Sequence, residues 1–93
     1  MLNVHFAGHL TRPAERQPNG TWMASIQSYD GKAARLFVRR QRLIGRLRLL
    51  RKGEPLSGTG SLNVIPTIND NGEPRAFLNI HVENLVTLEA GDE

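Results

Sequence analysis

From Lys32 to Lys52 the chain reads K-A-A-R-L-F-V-R-R-Q-R-L-I-G-R-L-R-L-L-R-K, a block that interleaves cations with apolar residues and contains no acidic residue. Most of the Lys and Arg of the chain fall in this block, whereas the acidic residues lie before it or from Glu54 onward. Charge segregated this way along the chain implies a basic face in space, and a basic face suits a polyanion. Within the block Arg35, Phe37 and Arg39 share one strand parity, which sets an aromatic ring between two guanidinium groups on one face. A nucleic-acid strand asks for that combination: cations for its phosphates and flat side chains for its bases.

Arg35, Arg39, Arg40, Arg42, Arg46, Arg48, Lys32 and Lys52 are the candidate phosphate ligands, and Phe37, Trp22, Tyr29 and Phe77 are the candidate stacking rings. Each well-stacked base contributes about 1–3 kcal/mol. Arginine also stacks on bases and forks onto phosphates, which partly offsets a small number of rings. Trp22 shares parity with Ile26, so both a core position and a platform position are open to it. Phe77 has the opposite parity to Leu78, Ile80 and Val82 and is expected to face outward, toward a bound strand or a subunit interface. His5 and His9 share a strand face and His81 can approach them. Carboxylates near them are few and closely spaced ligand patterns are absent, so these are read as surface or interface histidines, with no metal or cofactor expected. No nucleophile elbow, phosphate loop or recognisable carboxylate pair is present, and the chain is not read as an enzyme.

The elements that must hold these residues follow from alternation. Leu2 to Leu10 places Leu2, Val4, Phe6, Gly8 and Leu10 on one parity, the period of a half-buried strand. Thr11 to Gly20, with Pro13, Pro18 and Asn19-Gly20, reads as a loop. Thr21 to Tyr29 alternates again, Asp30-Gly31 signals a tight turn, and Ala33 to Arg39 forms the return strand of a hairpin. After Arg40 the period changes. Leu43, Ile44, Leu47 and Leu50 make one stripe of a short helix, with Gly53 placed to be a left-handed residue beyond it. Leu56 to Ile65 is a bent strand with Gly58 and Gly60 on its inward side, Asn69 to Pro74 is a turn, and Arg75 to Leu88 is the last strand. In that strand Asn84 breaks parity, and a bulge there keeps Leu85 buried. Five strands with a helix between the third and fourth define an all-β chain, with the element order of a five-stranded Greek-key OB-fold barrel.

Composition agrees with one compact unit. The 93 residues suffice for a single core, assigned to residues 1–89, with 90–93 expected to fray. Net charge is only +3, so its clustering, more than its total, carries the argument for a polyanionic partner. The absence of cysteine excludes disulfides, thiolate chemistry and Cys-ligated zinc. No apolar run approaches a membrane span and no secretory pattern follows Met1, which leaves a cytoplasmic location without membrane association as the expectation.

Three separated stretches, which together cover most of the chain, carry a family resemblance. L-N-V-H-F-A-G-H-L-T-R-P-A-E-R-Q-P-N-G-T resembles the first strand and loop of bacterial single-stranded DNA-binding proteins, in which N-x-V-x-x-x-G-x-L and P-N-G recur. L-L-R-K-G-E-P-L-S-G-T-G-S-L is similar to the helix end and fourth strand of that family, and D-N-G-E-P-R-A-F-L-N-I-H-V-E-N-L to its closing hairpin and fifth strand. A more distant resemblance is to primosomal replication protein N, a dimeric relative of the same barrel.

The resemblance implies single-stranded DNA binding in replication, repair or mobile-element maintenance, by a homo-oligomer that is a dimer or a tetramer. The chemistry admits RNA as well as DNA. Other replication proteins are the further partners such a role implies. Three departures stand out: the hairpin between strands two and three is reduced to Asp30-Gly31-Lys32, aromatic rings are scarce, and no long tail follows the barrel. The first two motivate an alternative, an OB-fold adaptor that docks another protein in a replication or nucleoprotein complex. Within the site, Arg35, Phe37 and Arg39 rank first and the helix arginines from Arg42 to Arg51 second, because that helix often plugs the barrel end away from the groove.

Overall fold

A computed structural model describes residues 2–87. Its elements run β1 (Leu2–Arg16), β2 (Trp22–Gln27), β3 (Ala33–Val38), α1 (Gln41–Leu49), β4 (Pro55–Ile68) and β5 (Pro74–Thr87). The strands close into a barrel in the order β1-β2-β3-β5-β4, with β4 returning to β1. All pairings are antiparallel except β3 with β5, whose parallel register joins Arg35 to Asn79, Leu36 to Ile80 and Phe37 to His81. Together with the helix between β3 and β4, this is the OB fold expected from the element order.

Alternation decides which side chains fill the barrel. Leu10 of β1, Ala24 and Ile26 of β2, Leu36 and Val38 of β3, Leu56 of β4 and Ile80, Val82 and Leu85 of β5 all point inward. Leu43, Ile44 and Leu47 of α1 join the same core, so the helix closes one end of the barrel, packed on β1 and β5. Each fully buried Leu contributes about 1.5–3 kcal/mol.

Close backbone approach is needed where strands cross within so small a barrel. A Cβ at Gly58 would lie 2.7 Å from Phe6 Cζ and inside contact distance of the Asn84 carbonyl oxygen. The expected bulge is present in β5: Thr59 pairs with Asn84 but Gly60 with Val82, so Glu83 is the extra residue and Leu85 returns to the core. Gly53 has the expected left-handed φ of +93°, although α1 ends earlier, at Leu49, with Leu50 extended.

Several expected element bounds are corrected. The segment Thr11 to Gly20 is a loop only in its second half, because β1 continues to Arg16, pairing Arg12 with Ser25, Glu15 with Met23 and Arg16 with Trp22. The register shifts between Arg12 and Glu15, so Pro13 occupies an irregular stretch that needs no donated amide. β4 likewise continues past Ile65 through Pro66 to Ile68 and pairs throughout with β5, from Val64 with Leu78 to Ile68 with Pro74. The result is a two-stranded arm that leaves Val64, Ile65, Ile68 and Phe77 exposed. β2 and β3 are each shorter than expected, ending at Gln27 and Val38. The expected fraying of 90–93 lies outside the described residues.

Candidate nucleic-acid interface

The site is built on β3, where Leu36 and Val38 are fully buried, so the alternate residues Arg35 and Phe37 must face outward. Because β3 lies between β2 and β5, each outward residue has neighbours on both sides. Phe37 is flanked by Met23 and His81, and Arg35 by Ser25 and Asn79. The Phe37 and His81 rings stack, with centroids 5.6 Å apart and planes 29° from parallel. Arg35 reaches the other way and places its guanidinium 4.4 Å above the centre of the Phe77 ring at the base of the arm.

Two hollows follow this strand. One, of about 570 Å³, lies between β3 and the arm, where Ser25, Ala33, Arg35, Arg75, Phe77 and Leu78 contribute to its wall. The other, of about 400 Å³, lies at the far end of β3, lined by Phe37, Arg39, Arg40, Ser61, His81 and Glu83, with Val82 beneath. Each hollow therefore combines an aromatic surface with two arginines. A flexible polyanion with exposed base faces fits that pairing. Glu83 is the one carboxylate among the residues lining the two, and its Oε1 accepts a hydrogen bond from Ser61 Oγ at 3.2 Å.

The remaining candidates stand elsewhere. Trp22 is half-buried at the helix end of the barrel, on the parity of Ala24 and Ile26, and Arg48 of α1 holds its guanidinium 5.0 Å from the ring centre. Tyr29 and Lys32 sit on the β2–β3 turn, by a separate hollow that His5 also lines. There Ser28 Oγ donates to Asp30, which holds the Asp30 carboxyl below its usual range. Arg42 is exposed on α1 and Lys52 on the connection to β4. Arg46 has a structural use, donating from Nη1 to the Leu85 carbonyl oxygen at 3.0 Å. The two hollows along β3 thus bring together Arg35, Phe37, Phe77, Arg39 and Arg40, whereas Trp22, Tyr29, Lys32, Arg42 and Lys52 line neither of them.

His81, Arg75 and Glu83 were not singled out in the sequence as parts of this face. His81 has the outward parity of Phe77, but only the parallel pairing of β3 with β5 puts it against Phe37. His5 and His9 pair with Thr59 and Pro55 on the β1–β4 side, and among the described residues no group of three or more His, Cys, Asp or Glu is placed to hold a metal ion.

No protein-family model matches the sequence, and no curated protein matches it. Solved structures do. The mitochondrial single-stranded DNA-binding protein of S. cerevisiae superposes with a TM-score of 0.76 at 16% identity, covering 94% of each chain. The single-stranded DNA-binding protein of Plasmodium falciparum, solved in complex with single-stranded DNA, gives 0.67 at 17% identity over 95% of each chain. The small single-stranded DNA-binding protein of Streptomyces coelicolor gives 0.63 at 15% identity over 97% of this chain and 96% of its own. The chain therefore shares, over nearly its whole length, the OB fold of these single-stranded DNA-binding proteins.

Proposed function

We propose that this chain binds single-stranded DNA along the outward face of β3 and β5, without catalysing a reaction. The observation that carries the reading is the convergence of Arg35 on Phe77 and of Phe37 on His81 on one face, with Arg39, Arg40 and Arg75 beside them. Two rings offer stacking surfaces, and the arginines take the phosphates between successive bases. Binding releases counterions, so affinity falls as salt rises. Neither stacking nor phosphate contact reads sequence strongly, which suits a protein that covers single strands during replication, repair or mobile-element maintenance in the cytoplasm. The structural neighbours support the reading because three of them carry single-stranded DNA binding in their names.

The test is fluorescence anisotropy of labelled oligo-dT against rising protein, with RNA and duplex DNA of matched length beside it. Saturable binding of the single strand that weakens with salt is expected. No binding at low salt, or equal binding of the duplex, would overturn the reading.

A homo-oligomer, dimer or tetramer, belongs to the same proposal, because Leu2 and Val86 leave apolar surface open on β1 and β5. Sedimentation at micromolar concentration is expected to show more than one copy per particle. The exposed Val64, Ile65 and Ile68 of the arm favour a second reading, an adaptor that docks a protein. A partner whose binding survives charge reversal at Arg35 and Arg39 would favour it over the first.

A further inference from the structure

The bulge in β5 serves the core by returning Leu85 to the interior, but it also fixes an acidic side chain on the basic face. Glu83 is the inserted residue, two positions after His81 on the same outward parity, and it lines the hollow that holds Phe37, Arg39 and Arg40. Bulges recur next to functional sites because they re-aim one side chain. A carboxylate here is at odds with a surface that only collects phosphates. Exposed like charges within a Debye length, about 10 Å at 0.1 M salt, repel.

The conflict is resolved if the carboxylate meets the edge of a base. An ionised Glu is acceptor-only, with two oxygens and about four lone-pair sites. Ser61 Oγ occupies one of these from the β4 side, which orients the group and leaves further acceptor capacity. Stacking on Phe37 would hold an unpaired base parallel to the ring with its Watson–Crick edge pointing sideways, open to the hydrogen bonds by which such edges are read in single strands. Among the four bases, guanine alone presents two adjacent donors on that edge, N1–H and the 2-amino group, which match the two acceptors of a carboxylate. Thymine presents one donor between two carbonyl oxygens. Adenine and cytosine each place a ring acceptor beside their amino group.

We infer that the hollow at the end of β3 is a guanine-selective subsite, in which the base stacks on Phe37, Glu83 accepts from its N1–H and 2-amino group, and Arg39 and Arg40 hold the neighbouring phosphates. This rests on the single-stranded DNA reading above and adds a base preference that phosphate contact and stacking do not supply.

The experiment compares anisotropy titrations of the full chain with oligo-dT and with the same oligomer carrying spaced single guanines, each guanine also replaced in turn by inosine, adenine or cytosine. Good bidentate base contacts discriminate by at least about fivefold. The guanine oligomer is therefore expected to bind at least that much more tightly than the other four, inosine included because it lacks the 2-amino donor. Glu83→Gln, which retains an acceptor for Ser61, is expected to abolish the preference and, by removing a negative charge from the basic face, to bind oligo-dT more tightly than the parent. Tight oligo-dT binding with no guanine preference, or a preference that persists in Glu83→Gln or with inosine, overturns the assignment while leaving the single-strand reading intact. Failure to bind any of the oligomers overturns both.

Discussion

Replacing Phe37 by Ala separates binding from folding. Leu36 and Val38, the neighbours of Phe37 in β3, are fully buried and point the other way, so truncation leaves the barrel interior untouched. What the fold loses is the half-buried ring and its 5.6 Å stack on His81. Aromatic pairs add about 0.5–1.5 kcal/mol beyond area burial, so the variant should lose about that amount or somewhat more, well short of the roughly 3–5 kcal/mol that truncating a fully buried Phe costs. Binding should suffer more. Loss of one stacked base removes about 1–3 kcal/mol, which weakens the dissociation constant by about 5- to 150-fold. Anisotropy with oligo-dT measures the binding loss and thermal denaturation by circular dichroism measures the stability loss. Phe37→Tyr keeps the stacking surface and should stay within about threefold of the parent, a difference under 1 kcal/mol. A cooperatively folded Phe37→Ala that binds oligo-dT with unchanged affinity would refute the assignment of Phe37 as a platform.

Other outcomes follow from the same geometry. Single-strand affinity should fall with log salt at a slope of about −3 if Arg35, Arg39, Arg40 and Arg75 each neutralise one phosphate, and Arg39→Gln with Arg40→Gln should reduce that slope by about 1.4. Arg48→Ala should remove the cation–π contact with Trp22 and lower stability by about 0.5–1 kcal/mol, yet leave oligo-dT affinity in place because Arg48 lines neither hollow along β3. Gly58→Ala should destabilise the barrel by at least about 1–3 kcal/mol, measured by urea unfolding, because the added methyl meets both Phe6 and the β5 backbone.

The barrel was legible wherever one face of a strand met the core. Leu36 and Val38 against Arg35 and Phe37, the stripe of Leu43, Ile44 and Leu47, and the parity break before Leu85 each specify an orientation by burial alone, and the structure has all three. Readings failed where burial did not constrain the chain. Pro13 and Pro66 look like strand breakers, but one sits at a register shift and the other in a two-stranded arm with open edges, where a missing amide costs little. The site was half legible for a related reason. Outward parity identifies Phe37 and Phe77 on their own strands, whereas the Phe37–His81 stack and the Arg35–Phe77 contact depend on the parallel pairing of β3 with β5, distant segments whose register no local pattern encodes. Trp22 stayed open between core and platform because its inward parity is at the barrel end, where Arg48 covers its ring.

The most direct test of the central claim is a map of amide chemical shifts during titration of the isotopically labelled protein with a short oligo-dT. The largest changes are expected at Arg35, Phe37, Asn79 and His81 and along the arm from Arg75 to Leu78, with small changes in α1 and at His5 and His9 of β1. Changes concentrated on α1 or on the outward face of β1, with β3 and β5 silent, would contradict it.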